Sequence, residues 1–90
     1  MIFKVYILQS KKDGTYYIGY TTDLNRRLSE HNSGKSTYTS LKMPWNVVYY
    51  ERFSTRTEAL KREKFLKKQR NRTFYEKLIQ DFSCGNAIEF

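Results

Sequence analysis

One carboxylate of this chain stands where a helix should be apolar. In the segment "RTEALKREKFLKKQ", Ala59, Leu60 and Leu66 fall on one arc of a helical wheel, and Glu63 lies among them. A buried carboxylate must be paired, protonated or bound to a cation, because burying it bare is very costly. The pattern therefore allows a metal ligand, and it equally allows an ion pair with Lys67 one turn later.

A second pair of reactive side chains lies on an earlier predicted helix. Arg27 and His31 are four residues apart and flank the apolar seam formed by Leu24 and Leu28. They share one edge of the helix, which faces either the sheet or solvent. In the second case, Arg27 is simply exposed and His31 simply favours the negative end of the helix dipole.

Two tyrosines and a glycine form a third candidate group on the strands. Alternate residues of a strand share a face, so Tyr17 and Gly19 share one in "TYYIGY". If Tyr6 projects from the same side, two phenols stand beside the space that the glycine leaves. A strand-interior glycine costs roughly 0.5–1 kcal/mol relative to alanine, so we interpret Gly19 as clearance for an active site. The alternatives are a simple bend or bulge at Gly19 and tyrosines that only cover the sheet.

Patterning predicts the elements that must position these residues. Two β-rich runs flank the turn signal Asp13-Gly14 and predict an antiparallel hairpin. The polar run "SGKSTYTS" is predicted to be a loop. The predicted elements are strands at residues 3–10 and 15–20, a helix at 23–32, a strand at 45–53, and helices at 56–70 and 72–82.

The order β-β-α-β-α-α predicts a mixed α/β fold of the α+β kind. We expect a small, three-stranded, mainly antiparallel sheet flanked by helices, in a single domain at residues 1–82 with a frayed or loosely docked tail at 83–90. The lone Cys84 excludes an intramolecular disulfide and, with His31 as the only histidine, a Cys/His zinc site. No signal peptide or membrane span is recognised, so we expect a cytoplasmic protein without membrane partners.

The charge balance indicates the kind of partner. The chain has 17 Lys and Arg against 9 Asp and Glu, a net charge of +8. Such a surplus on a small domain favours a polyanion, most simply nucleic acid, although a basic but solvated surface is the alternative.

Taken together and in order, these residues resemble a GIY-YIG nuclease domain. The closest type is the small stand-alone domain related to the N-terminal module of bacterial nucleotide-excision repair nucleases. The resemblance covers about residues 3–78. The first half-motif is "VYI" here, with Val5 in place of the family's glycine, and the second half-motif is intact as "YIG". An asparagine found late in several nuclease members has only Asn71 as a weak candidate.

The resemblance assigns the catalytic side chains to Tyr6, Tyr17, Arg27, His31 and Glu63. It implies hydrolysis of phosphodiester bonds with one divalent ion held by Glu63, Mg²⁺ or alternatively Mn²⁺. Arg27 would brace the scissile phosphate, and Tyr6 would act as the general base or orient the water, assisted by the other phenol and the imidazole. A free tyrosine is a poor base at pH 7, so Arg27 and the metal would have to lower its pKa.

The resemblance also gives the basic surface a role as a contact for the DNA backbone. The residues expected there are Lys35, Lys61, Lys64, Lys67, Lys68, Arg70 and Arg72. No element that reads base sequence is recognised, so we expect selection by DNA shape, such as branches or flaps, in repair or recombination.

Two other functions compete with an endonuclease. One is a nucleic-acid-binding module of the same fold with little or no turnover, because this domain stands alone whereas relatives often carry a separate DNA-binding or partner domain. The other is an RNA-binding or ribosome-associated protein, which explains the charge but leaves Glu63 and Arg27 without a purpose. A protein partner that activates the domain also stays open.

Overall fold

The structure, a computed structural model, describes residues 1–34 and 37–85. Its elements in chain order are β1 (Phe3–Ser10), β2 (Tyr16–Thr21), α1 (Leu24–Asn32), α2 (Thr37–Ser40), β3 (Trp45–Phe53), α3 (Arg56–Gln69) and α4 (Arg72–Gly85). The predicted α+β fold and the order β-β-α-β-α-α are confirmed, with the one-turn helix α2 as an addition.

Helix α2 lies in the segment predicted to be a loop, and there the prediction was wrong. Four residues complete about one turn of helix, which is too short to show an apolar period. Helix α4 continues to Gly85, past the domain boundary predicted at residue 82. The last residues of the predicted tail, 86–90, lie outside the described residues.

The sheet has the strand order β2-β1-β3, and both pairings are antiparallel. The hairpin between β1 and β2 turns at Gly14, whose positive φ of 79° suits a glycine. The central strand β1 is buried on both faces, which explains why its sequence is apolar without alternation.

Helices cover both faces of the sheet and create two cores. On one face, Val5 and Ile7 pack with residues of α3 and α4, including Ala59, Leu66 and Tyr75. The opposite face carries a second core, whose buried members are Tyr6, Leu8, Leu24, Trp45 and Val47. Leu24 and Leu28, four residues apart on α1, thus cover the face of the sheet that carries Tyr6.

A register shift in β3 determines which of its residues face α1. Ile7 pairs with Tyr49 and Leu8 pairs with Val47, so Val48 is an extra residue on β3. The shift moves Val47 and Tyr49 to opposite faces of the sheet, although they are two residues apart.

Capping residues fix where the helices begin. The Asp23 side chain accepts a hydrogen bond from the Arg26 amide at the start of α1, and the Thr55 side chain does the same for Glu58 at the start of α3. No helix within residues 1–34 and 37–85 is long and apolar enough to cross a membrane.

Candidate active site

Tyr6 is the centre of a buried aromatic group on the α1 face of the sheet. Its phenol oxygen lies 3.3 Å from Nε2 of His31. The Tyr17 ring packs edge-on against His31, with centroids 4.8 Å apart, and its centroid lies 6.5 Å from that of Tyr6. The structure therefore brings together three side chains that the sequence places on two strands and a helix.

Gly19 lies directly opposite Tyr6 in the register of β1 and β2. A Cβ at this position would lie 2.6 Å from the Tyr6 phenol oxygen and 2.9 Å from Cζ, both far closer than real contacts. The ring is buried, at 1 % exposure, so it has little room to move away. The sequence predicted that Gly19 leaves clearance for an active site; in the structure, the atoms nearest to that clearance belong to the Tyr6 phenol.

His31 is fully buried, at 0 % exposure, so of the two orientations considered for this helix edge, His31 faces the sheet and not solvent. Its Nδ1 lies 2.9 Å from Oγ1 of Thr39, a buried residue of α2. Burial, and next the nearby charge of Arg27, lower the pKa of His31, with Glu30 opposing. The imidazole is therefore neutral at pH 7 and keeps one nitrogen lone pair available.

Thr39 is the residue that sequence reasoning missed. Besides its contact with His31, its carbonyl accepts a hydrogen bond of 2.9 Å from the Trp45 indole nitrogen. Asn32 also links α1 to β3, because its side chain donates to the Trp45 carbonyl at 3.1 Å and accepts from the Trp45 amide at 2.6 Å. The polar run around Thr39 offered no signal for this role.

Arg27 lies beside the Tyr6 phenol. Burial opposes its charge, but hydrogen bonds to Tyr6 and Glu30 outweigh this effect and raise the pKa of Arg27. The bond to Glu30 measures 3.1 Å. The Arg27 side chain is 37 % exposed, so its guanidinium is a permanent positive charge at the rim of the site.

The phenol of Tyr6 is neutral at pH 7. Burial raises its pKa to about 12, the hydrogen bond from Arg27 lowers it in part, and the charges of Tyr17 and Glu63 raise it again. Arg27 therefore acts in the expected direction, but burial dominates.

Glu63 lies on α3 with its side chain only 14 % exposed. Its carboxylate is 3.7 Å from Nζ of Lys67, and its charge is felt at Tyr6. The ion pair with Lys67, one of the two interpretations of this residue, is present, and it leaves Glu63 close enough for its charge to act on Tyr6.

The donor residues fit a water-rich metal ion. No group of three or more His, Cys, Asp or Glu side chains that could hold a metal occurs in the described part of the chain. A single largely buried carboxylate matches Mg²⁺, which keeps most of its waters and needs few protein ligands. Glu63 is the residue that would hold it.

Most of the predicted DNA-binding residues lie together on the outside of α3. An open depression of about 810 Å³ is lined by Lys61, Lys64, Phe65, Lys67, Lys68 and Arg70. We call this surface the α3 groove. Lys35 lies outside the described residues.

Two further candidates are occupied by structural contacts. The Arg72 guanidinium lies 5.0 Å from the Tyr16 ring centroid and donates to the Gly14 carbonyl at 3.2 Å. The Asn71 side chain accepts from the amides of Thr73 and Phe74 and so caps α4.

Comparison with known proteins shows the family to which the chain belongs. The family model of the GIY-YIG catalytic domain matches residues 3–77, and the chain belongs to this family, whose domains are of the endonuclease type. Among relatives, a UPF0213 protein of Streptococcus pneumoniae is 45% identical over 87 residues, covering 96% of this chain and 86% of that protein. A UPF0213 protein of Listeria monocytogenes is 45% identical over 78 residues, covering 83% of this chain and 84% of the relative.

A solved structure shows the same fold. The solution NMR structure of the UPF0213 protein BH0048 from Bacillus halodurans is similar to this chain, with a TM-score of 0.54 and 40% identity. The similarity covers 89% of this chain and 84% of that one.

Proposed function

We propose that this protein is a metal-dependent endonuclease that hydrolyses phosphodiester bonds in DNA. The observation that carries the proposal is that three groups, an imidazole, a guanidinium and a carboxylate, act on the Tyr6 phenol. His31 lies 3.3 Å from it, and the charges of Arg27 and Glu63 both act on its pKa. A tyrosine that only packed in the core would not need a guanidinium and a carboxylate whose charges act on its phenol.

The contacts suggest how a poor base can still remove a proton. In the tautomer that this mechanism requires, the neutral Tyr6 phenol donates to Nε2 of His31, and Nδ1 carries the imidazole proton and donates to Thr39. As a water molecule attacks phosphorus, its proton passes to the Tyr6 oxygen and the phenol proton passes to the imidazole. The bond to the leaving oxygen breaks, and that oxygen takes a proton from solvent. Tyr6 then works as a relay whose high pKa is no obstacle.

Arg27 and Glu63 serve the phosphate. The fixed guanidinium is placed to bind two phosphate oxygens and to stabilise the charge that develops on them. A Mg²⁺ or Mn²⁺ ion held by Glu63 would add Lewis-acid stabilisation of the same charge. The basic α3 groove would contact the phosphate backbone of the DNA. Because such contacts carry no sequence information, we expect the enzyme to select DNA by shape, in repair or recombination.

The test compares Glu63→Gln with Glu76→Gln, a matched change of an exposed carboxylate on α4. Each variant and the wild type are incubated with plasmid, branched and flapped DNA, with Mg²⁺ and with chelator. We expect the wild type and Glu76→Gln to cleave with Mg²⁺ only, and Glu63→Gln to lose at least about 100-fold in rate, as when a transition-state charge contact is lost. Equal cleavage by both variants would contradict the assigned site.

A second candidate function is a binding module with little turnover. It is favoured by one observation: Lys67 already pairs with Glu63 at 3.7 Å, so in the resting protein this carboxylate is engaged by a lysine and not by a metal ion. Binding of DNA by every variant without cleavage by any would select this alternative.

A further inference from the structure

Phe65 is an aromatic side chain in an unusual position. It is 43% exposed on the outside of α3. The other large apolar side chains exposed in the described residues lie at the chain start and in the turn before β3: Met1, Ile2 and Leu41. Phe65 lines the α3 groove with five basic residues and no acidic one. The proposed reaction does not use this ring.

Two neighbouring side chains pack against the Phe65 ring. The Arg62 guanidinium lies 5.1 Å from the Phe65 ring centroid, and Arg62 is itself anchored to Glu51 by a hydrogen bond of 2.8 Å. The Phe74 ring makes an edge contact with Phe65, with centroids 6.1 Å apart. The guanidinium lies over the ring, and the ring nevertheless stays 43% exposed and lines the groove. An ordered aromatic surface binds a flat partner at little entropic cost.

The lysines connect this ring to the active site. Successive residues of a helix are about 100° apart, so positions around α3 can be read from the sequence. Starting at Glu63 and going around the exposed side, Lys67 comes first. Lys64 and Lys68 follow, and the far side carries Lys61 and Phe65. A path of positive charge thus leads from the site around the helix to the exposed ring.

We propose that the α3 groove binds a single-stranded segment of nucleic acid next to the cleaved bond, with its phosphates on the lysines and one base stacked on Phe65. Charge complementarity supports this occupant, because the groove lining is basic and aromatic only. Stacking platforms flanked by cations are the common way to bind single strands without reading sequence, and a paired duplex has no free base to offer. The choice of nucleic acid rests on the proposed function, but binding does not require cleavage.

The first test measures binding in chelator by fluorescence anisotropy, with a short labelled single strand and the matching blunt duplex. We expect Phe65→Ala to weaken single-strand binding by about 5- to 100-fold and to leave duplex binding within about twofold. Phe65→Leu keeps an apolar contact with Phe74 but loses the ring face, so it should behave like Phe65→Ala. Phe65→Trp should bind as tightly as the wild type or better. Thermal unfolding of each variant checks that the fold is intact.

The second test locates the stacked base. A single abasic position is moved along the strand, and one position should weaken binding of the wild type but not of Phe65→Ala. Unchanged single-strand binding by Phe65→Ala, or an equal loss on the duplex, would overturn the proposal. So would tighter binding of polyglutamate than of the single strand, which would indicate an acidic protein partner.

The controls separate this inference from the proposed function. Glu63→Gln should keep full single-strand binding in chelator while it loses cleavage. If Glu63→Gln cleaves normally, the catalytic assignment fails and the binding results still decide the role of Phe65.

Discussion

His31 links the stability of the protein to its chemistry. It is the only histidine in the chain, it is buried between Tyr6 and Thr39, and its folded-state pKa is lowered. A group with a depressed pKa contributes stability above its unfolded pKa, near 6.5, and that contribution is lost as the pH falls below it.

We therefore expect the free energy of unfolding to fall between pH 6.5 and 5, with a slope of up to about 1.4 kcal/mol per pH unit. Denaturant unfolding at several pH values measures this. His31→Gln should be less stable at pH 7 but nearly flat over the same window. A wild-type curve as flat as that of the variant would show that His31 titrates normally in the fold.

Lys67 competes with any cation for Glu63. It is the carboxylate's ion-pair partner at 3.7 Å and is itself 55% exposed, so it can leave for solvent or for a phosphate. We expect Lys67→Met to bind Mn²⁺ about 3- to 10-fold more tightly without DNA, since one local charge is removed. Titration calorimetry measures this, with Lys68→Met as the control on the same helix. Unchanged or weaker metal binding in Lys67→Met would argue against competition.

At the level of elements, β1 and β2 pack closely where Tyr6 and Gly19 lie opposite each other in the hairpin. We expect Gly19→Ala to destabilise the protein by about 1–3 kcal/mol, because an added methyl group overpacks a rigid, buried contact. Tyr6→Phe removes the nearest atom, so the two changes together should cost less than their sum by at least about 0.5 kcal/mol. Chemical denaturation of the four proteins tests this, and additive effects would place the methyl group elsewhere.

The sequence was sufficient for the elements that have a pattern and insufficient for those that lack one. Strand β3 and helices α1, α3 and α4 carry periods or caps, and their positions were predicted within a few residues. Helix α2 has neither, because it is four residues long and entirely polar or aromatic. The register shift at Val48 could not be predicted from the sequence either, since it depends on how β3 pairs with β1.

The same distinction applies to the site. Residues with unusual chemistry in a regular element, such as Glu63 and His31, could be selected from the sequence. Thr39 could not, because a threonine in a polar run is ordinary and only the fold brings it to His31. The close contact at Gly19 could also be recognised only in the structure, because the Tyr6 phenol oxygen that occupies the adjacent space lies on a different strand.

At the scale of the whole molecule, the net charge of +8 is unevenly distributed, and five basic residues share the α3 groove. Binding of a single strand should therefore weaken steeply with salt, with a slope of log K against log salt near −3. Lys64→Gln should reduce the magnitude of that slope by about 0.7, whereas Lys77→Gln, on α4 and outside the groove, should leave it unchanged. Affinity measured at four salt concentrations decides this, and equal slopes for both variants would place the strand elsewhere.

The close fit of Gly19 against Tyr6 also restricts how such a protein can evolve. A lineage that replaces the glycine first would displace the phenol and lose both stability and the site in one step. A lineage that first loses the tyrosine ring would free the glycine position for any small side chain. Among natural relatives, a substituted glycine should therefore occur only together with a smaller residue at the tyrosine position, and a glycine facing a non-aromatic residue would mark a recent loss of the phenol.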